Sequence, residues 1–139
     1  MSDVLSAFRS VLLESSDLMA VIGDRIVPDV LAQGETMPAV TIRRISTTPE
    51  SDLEGTEPLS YTRITVECFS HTRVQADQIS RLVRRSGVLD WIGVRHGVDC
   101  RGVIVDSGDS HRTEDNTEGS HELRYITEQD FEVAFIEDI

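Results

Sequence analysis

The chain has 139 residues, 39% of them apolar and 27% charged, with 25 acids against 13 bases. This is a globular balance that excludes a disordered chain, and no apolar run is long enough to cross a membrane as a helix. The net charge of −12 repels phosphate, which makes the chain a poor candidate for gripping nucleic acid.

The opening MSDVLSAFRSVLLESS carries Asp3 and Glu14 and lacks a basic leader and a small-residue cleavage site, so no signal peptide is expected and the protein is placed in a cytoplasm. Residues 2–14 read as a helix: Ser2 or Asp3 caps it, and Val4, Leu5, Phe8, Val11 and Leu12 fall at helical spacing. Ser15-Ser16 breaks the pattern, and Ser16 or Asp17 caps a second short turn through Ile22 that Gly23 ends. Ile26 and Val27 are extended, and Pro28 restricts them to an edge or a short strand. Pro38 opens AVTIRRIS, where Val40 and Ile42 alternate with Thr41 and Arg43. Residues 47–60, with two prolines, a glycine and four acids, read as an exposed loop.

YTRITVECF is the strongest strand, with Ile64, Val66 and Cys68 on one face. Residues 72–85 form an amphipathic helix capped by Thr72, with Ala76, Ile79, Leu82 and Val83 as its stripe and Arg81, Arg84 and Arg85 near its end. Gly87 stops it, and Val88 to Ile92 form a short plug. CRGVIVDSG is a strand, residues 107–121 read as a polar loop or long hairpin tip, and Glu122 to Ile136 form a long strand with Leu123, Tyr125, Phe131, Val133 and Phe135 on one face. Runs of strands rather than strict alternation give an α+β class: one domain, residues 1–139, with a mostly antiparallel sheet and helices packed on one face.

Chemistry is sparse. No phosphate-binding loop, nucleophile elbow or zinc-protease motif occurs. Cys68 and Cys100 are too few for a disulfide framework and read as buried reduced thiols. His96 near Cys100 lacks an orienting partner. Asp109, His111, Glu114, Asp115, Glu118 and His121 crowd one segment, but their spacing matches no metal-binding pattern and reads as a solvated acidic loop. The neighbours Asp24 and Arg25 point to opposite faces of an extended segment and read as punctuation between helix and sheet. No catalytic, cofactor or metal residues are assigned.

Several local words, taken together, carry a likeness: VIGDRIVP after the second turn, MPAVTIRRIS, an acidic loop with glycine and prolines, YTRITVECFSHTRVQADQISRLVR, and the closing SHELRYITEQDFEVAF. Over nearly the whole chain this layout resembles the tail-completion (tail-terminator) proteins of long-tailed bacteriophages. The segment 107–121 is more acidic than that pattern, and Phe69 stands where such proteins often have tryptophan.

The resemblance implies a non-enzymatic virion protein without cofactors. It implies a ring, usually of six copies, at the head-proximal end of the tail tube, which stops tube growth and offers a face to the head connector. Its partners would be copies of itself, the major tail tube protein and the connector or stopper protein. DNA would pass through without specific binding, and no membrane is involved. The protein would sit in the virion neck after assembly in the host cytoplasm. A neck or head–tail joining protein of similar fold is the alternative, and a small enzyme using the 107–121 segment is a more distant one.

Within that frame Glu50, Asp52, Leu53, Glu54, Glu57 and Leu59 form the expected docking loop, because Leu53 and Leu59 can anchor it. Asp109, Glu114, Asp115 and Glu118 form the expected lumen or rim loop. Arg43, Arg44, Arg84 and Arg85 are the expected interface cations, and reversal of Arg84 and Arg85 is expected to spare the fold. Six copies at −12 each bring roughly −72 formal charges around a hole that DNA crosses.

Overall fold

Period-two alternation from Ala39 onward commits the chain to strands, and they assemble into one six-stranded sheet of order β1-β2-β3-β6-β5-β4. The computed structural model describes residues 3–49, 59–115 and 122–137. The strands are β1 (Ile26–Pro28), β2 (Ala39–Pro49), β3 (Leu59–Ser70), β4 (Gly93–Arg95), β5 (Val98–Asp115) and β6 (Leu123–Ile136), and the helices are α1 (Val4–Leu13), α2 (Ser16–Ile22) and α3 (Arg73–Arg84). Only the β1–β2 pair is parallel; all the others are antiparallel. The expected α+β class, mostly antiparallel with helices on one face, is what the structure shows.

The helices begin where side chains can serve the unpaired backbone N–H groups. Thr72 accepts from Gln75 N at 3.2 Å, as its position before α3 requires. Ser15, rather than Ser16 or Asp17, caps α2 by accepting from Leu18 N at 3.3 Å. Asp3 occupies the N-cap of α1 without capping, because its carboxylate is taken by the Arg44 guanidinium on β2. Gly23 follows α2 with φ 64°, a conformation that lets the chain turn at once toward β1.

The main core lies between the helices and one face of the sheet. Phe8, Val11, Leu12, Leu18, Ile22, Ile79 and Val83 from the helices meet Val40, Ile42, Ile64, Val66, Phe131 and Val133 from the strands. Phe8 and Phe131 stack obliquely with ring centroids 5.6 Å apart. Leu82 and Val105 pack against this core from partly buried positions. Trp91, fully buried after the 3-10 turn Val88–Asp90, closes one end of it.

A second, smaller cluster lies on the opposite face: Leu31, Met37, Ala39, Phe69 and Ile126. Ala39 opposes Phe69, and Phe69 opposes Ile126, so the three form one row across β2, β3 and β6. Arg124 seals it, with its guanidinium 4.9 Å from the Phe69 ring centre and donating to the carbonyls of Leu31 (3.0 Å) and Ala32 (3.3 Å).

Residues 107–121, read as a loop or a long hairpin tip, and residues 47–60, read as a loop, are strand where they are described. Residues 107–115 extend β5 to Asp115, where Ser110 to Asp115 pair in unbroken register with Glu128 to Leu123. Their polarity reflects a strand that runs past the apolar core: its side chains find charged partners on both faces instead of a hydrophobic surface. Residues 47–49 likewise continue β2, and Leu59 and Ser60 begin β3.

Candidate assembly surfaces

The sheet ends on both sides with strands that are far too short for their neighbours. β1 covers β2 only at Val40 to Ile42. Pro28 is its last residue, and proline cannot donate to a ladder. β4 covers β5 only at Val98 to Cys100. Among the described residues, Arg43–Pro49 of β2 and Arg101–Asp115 of β5 therefore have a strand partner on one side only. The unpaired N–H and C=O groups of such edges are a template for another strand. Exposed branched side chains mark both ends: Ile45 is 48% exposed on β2, Ile104 57% on β5, and Val94 70% on β4.

The face opposite the helices carries no helix among the described residues and is polar beyond the Phe69 row. Glu67 on β3 is buried and pairs with Arg112 of β5, which also reaches Glu128 at 3.0 Å. Asp130 accepts from Thr65 at 2.6 Å and from Ser107 at 3.3 Å, and Arg63 pairs with Asp106. Hydrogen bonding and charge from Glu67, Glu114 and Glu128 raise the Arg112 pKa although partial burial works the other way. A groove lined by Ser46, Thr48, Tyr61, Arg63 and Glu132 runs along this face beside the open edge of β2.

The four arginines expected at an interface occupy different settings. Arg44 pairs with Asp3 on the helix side. Arg43 opposes Thr65 on the polar face, and its Nε is buried without a hydrogen-bond partner among the described residues. Arg84 donates to Asp109 (2.8 Å), Gln129 (2.8 Å) and Ser80 (3.2 Å), tying α3 to β5 and β6. Arg84 thus meets Asp109, a residue expected on a lumen loop, inside the same chain. Reversing Arg84 would take the donor from these three acceptors, so a cost in stability is expected. Arg85 follows α3 as its C-cap.

Of the acidic residues, Asp109, Glu114 and Asp115 lie on β5, and Glu114 pairs with Arg124. Leu59 opens β3 half-buried. Glu50, Asp52, Leu53, Glu54, Glu57 and Glu118 fall outside the described residues.

Asp77 on α3, Asp109 and His111 bring three possible metal-ligand atoms within 4.8 Å of one another. These atoms already serve one another and their neighbours. Asp77 accepts from Thr127 at 2.8 Å and meets His111 Nε2 at 2.9 Å, while Asp109 is held by Ser80 (2.9 Å) and Arg84. Burial pushes the Asp77 pKa up, but the hydrogen bonds from Thr127 and His111 outweigh it and hold the carboxyl below its ordinary 3.8. The group is a latch between α3 and the hairpin of β5 and β6. Both thiols are buried, and desolvation pushes their pKa values up, which leaves them inert.

Among the described residues this geometry offers edges, a polar sheet face and no activated nucleophile. The family model for the tail completion protein gp17 matches residues 6–128, which takes in most of α1, all of α2 and α3, and the sheet up to the first part of β6.

The chain belongs to the gp17 tail completion family.

It is a structural tail protein of a phage-type particle and not an enzyme. Among solved structures it is similar to a chain described as part of the virion of a native gene transfer agent particle, with a TM-score of 0.65, 12% identity, and coverage of 96% of this chain and 95% of that one. At that identity the likeness shows the fold alone. No curated protein matches. For a tail completion protein the informative residues are then those on edges and faces, and sequence reading missed several. Ile45 and Ile104 looked like ordinary strand residues, and their only signal was a second apolar parity within an already apolar strand. Arg124, which sequence reading did not single out, is 6% exposed and closes the second cluster.

Proposed function

We propose that this tail completion protein forms a ring of six copies on the head-proximal end of the tail tube, where it stops tube polymerisation and presents a face to the head connector. The observation that carries the reading is the family match across the folded chain. The open, dissimilar edges at the two ends of the sheet support it, because a closed ring needs two different patches per subunit. The virion origin of the structurally similar chain agrees with it.

In this reading the segment containing Glu50, Asp52, Leu53, Glu54, Glu57 and Leu59 docks on the tube or connector. Asp109, Glu114 and Asp115 of β5, together with Glu118, serve the rim or lumen. Arg43, Arg44, Arg84 and Arg85 serve the contact between copies, with Arg43 the best placed. In this reading the helices face outward and the polar sheet face looks toward the passing DNA. Its carboxylates Glu67, Asp106, Glu128, Asp130 and Glu132 outnumber Arg43, Arg63 and Arg112 and keep the duplex from sticking within a Debye length of about 8 Å.

Particles assembled without this protein test the reading. Tails of uncontrolled length that fail to join heads are expected. Normal tail length and normal head attachment in its absence would rule out the capping role. Heads left leaking DNA beside finished tails of normal length would instead favour a neck or joining protein.

A further inference from the structure

The two open edges are matched in more than being open. The rows of the sheet can be followed across its four long strands: Ser46 opposes Arg63, Arg63 opposes Glu132, and Glu132 opposes Ile104. Three residues away along both edges, Arg43, Thr65, Asp130 and Ser107 form another row. The unpaired stretch of β2 therefore stands level with residues 101–107 of β5 at the other end of the sheet. β2, β3, β6 and β5 alternate in direction at every step. An even number of alternating strands has a consequence for a ring whose axis runs roughly along the strands. The β5 edge of one copy meets the β2 edge of the next in the antiparallel sense, so the alternation continues without a break.

We propose that the subunits join through these edges: Arg43–Pro49 of β2 in one copy pairs antiparallel with Arg101–Ser107 of β5 in the next, making one continuous sheet around the ring. The inference rests on the ring reading above and adds which surfaces close it. Level pairing places Ser46 beside Ile104 of the neighbour, and Arg43 beside Ser107. It also covers Ile45 and Ile104, the exposed aliphatics of the two edges. Residues 43–49 hold two arginines and no acid, and the facing stretch 101–107 supplies Asp106 beside Arg101. Arg43, with its Nε lacking an acceptor among the described residues, comes to lie near Asp106 of the neighbour. A closed sheet also removes the hazard that two bare edges pose.

Cysteine pairs test this directly, because Cys68 and Cys100 are buried and inert. Strands paired in a sheet bring Cα atoms within the 4.4–6.8 Å that a disulfide spans. In tails carrying a Ser46→Cys, Ile104→Cys double variant, mild oxidation is expected to yield a ladder of covalent oligomers. Either single variant alone should yield none. An Arg43→Cys, Ser107→Cys pair should repeat the ladder if the first pair perturbs the edge. Electron microscopy of the same tails separates the two ideas. A ring at the tail end without cross-links from either pair overturns the edge pairing alone. Absence of any ring from completed tails overturns both.

Discussion

At the scale of single residues, the fold rests on a few side chains that bridge sheet and helices. Phe131 is fully buried and stacks on Phe8. Phe131→Ala is expected to cost about 3–5 kcal/mol through lost transfer energy and the cavity left behind, measured as a shift in denaturant midpoint. An unchanged midpoint would mean that the register of β6 is wrong. Asp77 makes stability depend on pH. Its folded pKa lies below 3.8, so its contribution is fully present above that value and is lost as pH falls through the folded pKa. Asp77→Asn should therefore remove part of the acid sensitivity of unfolding below pH 4 while lowering stability at pH 7. An identical acid profile for the variant would contradict the latch. The thiols give a third check. Neither Cys68 nor Cys100 should react with an alkylating reagent until the protein unfolds, since both are buried with raised pKa values.

At the scale of elements, the latch between α3 and the hairpin of β5 and β6 sets what can be changed. Arg84 donates to three acceptors on three elements. Arg84→Glu should cost about 1.5–3 kcal/mol, the range for hydrogen bonds to charged groups, whereas Arg85→Glu should stay within about 0.5 kcal/mol, as surface changes do. Thermal melts of the two single variants check the contrast, and equal melting temperatures would remove Arg84 from its tethering role. These same elements mark where sequence reading succeeds. β3 and α3 were legible because their apolar periods of two and 3.6 are clean. The outer half of β5 was not, since a strand past the core alternates Asp109 and His111 against Ser110 and Arg112 rather than apolar against polar. The second cluster was hidden for another reason: Leu31, Phe69 and Ile126 are far apart in the chain and meet only through the strand order. Of the surfaces proposed for assembly, the arginines rest on the sequence alone, as scarce cations. The open edges were not legible in it, because they follow from which neighbours end early.

At the scale of the whole molecule, charge and topology act together. All 13 basic residues are arginines, with no lysine in the chain. Guanidinium groups suit forked pairing with carboxylates, and they are less strongly hydrated than ammonium groups, which favours contacts that become buried. The remaining excess of acids predicts that the protein does not retain duplex DNA even at low salt, as fluorescence anisotropy of labelled DNA would show; tight binding that weakens steeply with salt would contradict it. The proposed ring of this tail completion protein would close over the tube through which DNA travels. Averaged electron micrographs of purified particles carrying a label on this protein test it most directly. A single labelled ring is expected where the tail meets the head, with its sheet toward the channel and its helices outward. Label along the tail, at its far tip or within the head shell would contradict it.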